Sequence, residues 1–167
     1  MRLALTDLFQ AKWSARVHEE WMDALLRERP DLTQEQLDRT RRLMDAHVRD
    51  ALVHHFEDLI EGLHLPDPDD RHVLAAAIRG RADVILTRNL RDFPPNALAP
   101  FGIEAWYPDD FIAYLIDLAP DTVVSAAAEH RASLKNPPKT VAEYLTTLED
   151  QGLPQTVMTL RSYTDII

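Results

Sequence analysis

The chain contains no cysteine, which excludes disulfides, thiolate zinc sites and cysteine nucleophiles. That usage fits a reducing compartment, and a cytoplasmic protein is expected. Glycine is scarce, with 4 among 167 residues, too few for the Gly-rich loops that cradle nucleotide phosphates. Basic charge is in deficit. The 18 Lys and Arg residues face 28 Asp and Glu, giving a formal net charge of −10 and a pI near 5.0. Such a chain does not coat nucleic acid by bulk attraction. Contact with RNA or DNA then requires a local basic patch, a bound metal ion, or both. No apolar run approaches the roughly 20 residues of a membrane span, so no membrane association is expected. The N-terminus lacks the charged, apolar and small-residue regions of a secretory leader.

What is present suits a soluble globular protein. Hydrophobic residues make up 46% and charged residues 28%. The length fits one domain with an appendage. Prolines, 11 in all, punctuate a largely helical pattern. Leu3, Leu5, Leu8 and Phe9 read as the end of an amphipathic helix. Ser14 is a candidate N-cap for a helix with Val17, Trp21 and Leu25 on one face, closed by Pro30. Thr33 caps the next, with Leu37, Leu43, Met44 and Val48 as its apolar stripe. Residues 51–56 form a weak strand candidate, and residues 58–65 read as loop.

Asp69 or Asp70 opens a further helix whose apolar side is Val73, Leu74, Ala77 and Ile78, stopped by Gly80. Residues 84–87, with Val84, Ile85 and Thr87 β-branched, read as a short buried strand. Pro94, Pro95 and Pro100 mark a loop. Residues 103–106 read as a last strand, and Pro108 starts a helix through Phe111, Leu115 and Leu118. Strands alternating with helices predict an α/β fold with a parallel sheet flanked by helices. Beyond Pro120 only helical patterns remain, over 122–134, 141–148 and 153–160. The expected division is therefore residues 1–118 as the α/β domain and 119–167 as a small all-helical C-terminal extension.

The chemistry concentrates in Asp67-Pro68-Asp69-Asp70-Arg71-His72-Val73-Leu74-Ala75-Ala76-Ala77, followed by Ala82-Asp83-Val84-Ile85-Leu86-Thr87-Arg88-Asn89-Leu90-Arg91-Asp92. Acid, helix, strand and a second polar cluster in that order place hard oxygen ligands on a rigid frame, as divalent-metal phosphodiester hydrolysis needs. The plainer alternative is that Asp67, Asp69 and Asp70 cap a helix, since Asp is a preferred N-cap. Asp67 reads as a loop cap or as a ligand acting through water. Arg79, Arg81, Arg88 and Arg91 could line the site with positive charge for an RNA phosphate, or could be solvated surface. The histidines show no tight zinc spacing, and His72 is read as helix surface, the alternative being that it faces the phosphate beside Asp70.

These motifs resemble the PIN-domain family, including the VapC-like toxins of bacterial toxin–antitoxin modules. The similarity runs over residues 1–118, with Trp13-Ser14 through Glu19-Glu20-Trp21 similar to the helix that carries a family acidic residue. The later helices are similar to an extension found in one VapC-like subgroup. The resemblance implies a five-stranded parallel sheet flanked by helices. It also implies a Mg²⁺- or Mn²⁺-dependent ribonuclease, acting on RNA, restrained by a cognate antitoxin protein and expected to form a homodimer. By the resemblance, Glu20 and Asp70 are catalytic and metal-holding residues, and Asp92, the nearest carboxylate after Asn89, takes over the remaining acidic role; the plainer readings are a solvated Glu20 and a turn-forming Asp92. Asn89 stands where many members carry Asp. Thr87, Arg88, Asn89 and Arg91 are assigned to substrate binding.

PIN domains begin with a strand ending in a first catalytic aspartate. Nothing before Leu3 can be that strand, and Asp7 lies in a helical pattern. The expectation is one ligand fewer, with weakened metal binding, lower stability or compensation by a neighbouring chain, and reduced or absent activity. A catalytically inactive protein- or RNA-binding module is the alternative.

Overall fold

The computed structural model of the chain describes residues 2–167. A 3-10 turn over Arg2–Leu5 replaces the expected helix end. Helices α1 (Ala15–Glu28) and α2 (Gln34–His47) follow, then the short α3 (Glu57–Ile60), inside the segment read as loop. After a 3-10 turn at Pro68–Asp70 come α4 (Arg71–Gly80), strand β1 (Val84–Leu86), the short α5 (Pro95–Leu98) and strand β2 (Glu104–Trp106). The rest is helical: α6 (Pro108–Leu118), α7 (Pro120–Ser133), α8 (Val141–Asp150) and α9 (Pro154–Leu160).

Local chemistry explains the helix starts. The Ser14 hydroxyl accepts from the Val17 amide at 3.2 Å. Thr33 with Gln36, and Thr140 with Glu143, each form a reciprocal capping box that satisfies two otherwise orphaned amides. Prolines open α6, α7 and α9, where a missing N–H costs nothing and the fixed φ suits a helix.

Strand content is smaller than the five strands the resemblance implies. Among the described residues, β1 and β2 form a two-stranded parallel sheet. The Glu104 amide donates to the Asp83 carbonyl at 2.9 Å, and the Thr87 amide to the Trp106 carbonyl at 3.0 Å. The weak strand candidate at 51–56 contributes only a parallel bridge between Leu52 and Trp13. Asp50 and His55 take positive φ, 53° and 58°, and bend the backbone on either side of it. On the partner side Ser14 already caps α1. An extended run this short cannot propagate a ladder.

The chain divides into two compact units. One comprises Gln10–Ile85 and Asn89–Ala105; the other comprises Met1–Phe9, Leu86–Arg88 and Trp106–Ile167. In the first, the core gathers Leu74, Ala75, Val53, Phe56, Ile85 and Leu98. Gly80 does more than end α4. A Cβ there would sit 2.9 Å from Val53 Cγ2, so the glycine permits close packing, while Arg81 supplies the left-handed C-cap at φ 54°.

Helix α1 buries His18 and Met22; Val17, Trp21 and Leu25 are only half-buried. The reason is a polar network. Trp21 Nε1 donates to His18 Nδ1 at 2.9 Å, so the ring proton belongs on Nε2, which faces Asp45 Oδ1 at 3.0 Å. Trp13 Nε1 donates to the same oxygen at 2.8 Å. On α2, Leu37 is buried but Leu43 is exposed, so the expected stripe is narrower than it reads.

The helical unit packs α6 against α7 and α9. Leu115, Ile116, Val123, Leu145, Val157 and Leu160 form its core. Asp109, only 2% exposed, is fully used there. Its two carboxylate oxygens accept from the Gln155 and Thr156 amides at 2.8 and 2.9 Å, capping the first turn of α9 from a neighbouring helix.

Candidate metal centre

The site begins with Asp67. Its carboxylate accepts from the Asp69 amide at 2.9 Å, which opens the 3-10 turn through Pro68. The chain turns into α4 with Asp70 at the N-cap position, and there the expected capping bond is not made. The Asp70 carboxylate is turned to its neighbours instead. Asp92 arrives on the turn after β1, closed by its own amide on the Asn89 carbonyl at 3.3 Å. The Asn89 side-chain amide donates to Asp92 Oδ2, which orients that carboxylate.

Asp67, Asp70 and Asp92 each present an oxygen within 4.8 Å of the others. Asp67 is exposed and the other two are half-buried. Burial raises Asp70 above the ordinary carboxylate value, and the charges of Asp67, Asp92 and Glu20 raise it further. Three like charges held this close repel, which is the condition a bound cation relieves. The donor set is all carboxylate, without nitrogen or sulfur, and suits a hard divalent ion such as Mg²⁺ or Mn²⁺.

Glu20 is adjacent but differently held. It projects from α1, and its Oε1 lies 2.8 Å from His72 Nε2 and 3.4 Å from Arg16 Nε. It is not one of the three clustered oxygens, yet it is near enough to act on Asp70. His72 corrects the expectation of a helix-surface residue: it is 1% exposed. It was missed because Val73, Leu74, Ala77 and Ile78 suggest one apolar face, whereas His72 lies with Ala75 and Ala76 on an adjoining one. Small alanines at spacings of three and four are the signal that could have found that face. Burial lowers the imidazole below its ordinary value, while Glu20 pulls it back up.

The residues expected to meet substrate are dispersed. Asn89 and Arg91 follow β1 on the Asp92 turn, and Arg91 is exposed. Thr87 and Arg88 group with the helical unit. Arg88 donates to the Gln151 carbonyl at 2.8 Å. Arg79 spans both oxygens of Asp58 at 2.7 and 2.9 Å, so it serves the surface of the fold.

Comparison with known proteins bears on this arrangement. The family described as "PIN domain" matches residues 1–91. The chain belongs to the PIN-domain family. A second family, described as "VapC50 C-terminal domain", matches residues 108–162. The chain is also 39% identical over 105 residues to a protein of Mycobacterium tuberculosis (strain ATCC 25618 / H37Rv) named "Putative ribonuclease VapC50". That match covers 63% of this chain and 61% of the relative. No solved structure gives a significant match. This PIN-family member thus carries its three clustered aspartates within the α/β part, with a VapC-type helical region following. Among the described residues, no helix is long and apolar enough to cross a membrane.

Proposed function

We propose that the chain is a metal-dependent endoribonuclease of VapC type, in which Asp70 and Asp92 hold Mg²⁺ or Mn²⁺ with help from Asp67 and Glu20. The observation that carries this reading is the convergence of Asp67, Asp70 and Asp92 from two separate turns. Capping alone does not require it, because Asp70 makes no capping bond. A bound ion would supply a water of lowered pKa and positive charge opposite the phosphate. The protein's part is to hold the carboxylates. Asn89 orients Asp92, and the Asp67 turn fixes the approach of Asp70. Arg91, exposed on the same turn as Asp92, is the cation best placed in the sequence to meet an RNA phosphate.

The same reading makes the protein the toxin of a toxin–antitoxin pair, working in the cytoplasm as a homodimer with a cognate antitoxin. It is supported by the likeness to VapC50. A second reading is a binding module without catalysis. It is favoured by the commitment of Arg79 and Arg88 to internal partners, which leaves fewer cations for substrate.

The deciding experiment incubates the chain with a mixed RNA pool and Mn²⁺ or Mg²⁺, beside Asp70→Asn and an EDTA control. Cutting that needs the ion and Asp70 supports the nuclease. RNA retention without cutting supports the module.

A further inference from the structure

We infer that His72 is a positioning residue that fixes the Glu20 carboxylate beside the Asp67, Asp70 and Asp92 cluster. The inference rests on the metal-centre reading above. His72 is 1% exposed, yet neither ring nitrogen makes a hydrogen bond of good geometry. Burying an imidazole whose hydrogen bonding is so poorly met is unfavourable, and an apolar side chain would fill the place more cheaply. The flanking positions of α4 show that choice, with Leu74, Ala75 and Ala76 all buried. What the imidazole offers is reach to a carboxylate: Nε2 lies 2.8 Å from Glu20 Oε1, off the line of an ideal bond.

The placement matters more than the single distance. His72 and Asp70 stand two residues apart at the start of α4, while Glu20 comes from α1. The element that presents Asp70 therefore also carries an anchor for Glu20. The Glu20 side chain is 49% exposed. Without an anchor, a glutamate there samples several rotamers. Arg16 also reaches Oε1, but from an exposed side chain on the same helix as Glu20. Both contacts fall on Oε1. A rigid, buried ring set behind a carboxylate is how proteins orient ligands from outside the ligand set, an effect typically worth about 10–100-fold in metal affinity.

The test is titration of Mn²⁺ into the full chain, followed by calorimetry and by the EPR signal of free Mn²⁺. Variants are His72→Leu, His72→Met, His72→Gln and Asp70→Asn, each with its melting temperature. We expect His72→Leu and His72→Met to bind Mn²⁺ about 10–100-fold more weakly while melting no lower than the wild type. His72→Gln keeps an N–H near the Nε2 position and should restore affinity to within about threefold. In a Glu20→Gln background, His72→Leu should add nothing. Unchanged affinity in both apolar variants, with Asp70→Asn still losing the ion, overturns the positioning role and leaves the metal centre standing. A loss that tracks melting temperature and is not rescued by Gln overturns it in favour of a purely structural histidine. Equal Mn²⁺ binding by wild type and Asp70→Asn overturns the metal centre itself, and this inference with it.

Discussion

Asp70 and Asp109 each stand at the opening of a helix, close behind a proline, and in the sequence they look alike. In the helical unit, Asp109 is buried and both its oxygens are occupied by backbone amides of α9. In the α/β unit, Asp70 declines the cap it could make and is set among other acids that raise its pKa. One carboxylate is spent on stability and the other is withheld from it. Where a polar group is left in an unfavourable electrostatic setting, the fold has given up stability for something else, and function is the first candidate.

The largest stability effect should come from the satisfied acid. Asp109→Ala leaves the Gln155 and Thr156 amides without their acceptor and should cost about 2–4 kcal/mol, read from urea unfolding. Asp109→Asn keeps one acceptor oxygen and should cost about half as much. If Asp109→Ala proved neutral, the contrast with Asp70 would collapse.

Asp70→Asn should act in the opposite direction. Its carboxyl is raised by burial and then by neighbouring acids, so the repulsion is fully present above the raised value and fades as pH falls toward the ordinary 3.8. The variant should therefore melt above the wild type at pH 7 without metal, and the gain should vanish by about pH 3.8. Added Mn²⁺ should raise the wild-type melting temperature and not that of Asp70→Asn.

Asp45 sharpens the point within the same unit. Burial pushes its carboxyl up, but hydrogen bonds from Trp13 and His18, with the charge of Arg41, hold it below 3.8. Its contribution is present above 3.8 and lost as pH falls through the lowered value. Asp45→Asn should thus melt below the wild type at pH 7, and the difference should shrink below pH 3.8. Melting curves of the two Asn variants across pH 3–7 should diverge in sign. The smallest effects should be Thr33→Ala and Thr140→Ala, each about 1 kcal/mol. They should match across the two units because a capping box is local.

Much of the helical scaffold is legible in the sequence alone. Ser14, Thr33 and Pro108 mark starts that the structure keeps, since capping chemistry acts within four residues. The strands were less legible. The candidate at 51–56 shrank to one bridge because turns at Asp50 and His55 bracket it, and positive φ at an ordinary residue leaves little trace in sequence. In the site, Asp70 stood out by motif and Asp92 as the carboxylate nearest to Asn89. Asp67 reads in sequence as a cap or as a ligand through water; it caps the 3-10 turn and also joins the cluster. Arg88 looked like a phosphate ligand, while its partner is a carbonyl 63 positions away. His72 looked like surface and is core.

The sequence by itself determined the family, the α/β character, the helix caps and the stretch that carries the acids. Each follows from short-range chemistry: side chains meeting nearby amides, apolar periodicity and local motif order. Only the tertiary structure decided which aspartate is satisfied and which is exposed to its own kind. It also decided which histidines are interior and which arginines are already engaged. Those outcomes depend on what arrives from distant segments, as Gln155 does at Asp109 and Asp92 at Asp70. Coulomb and desolvation terms act through space, not along the chain.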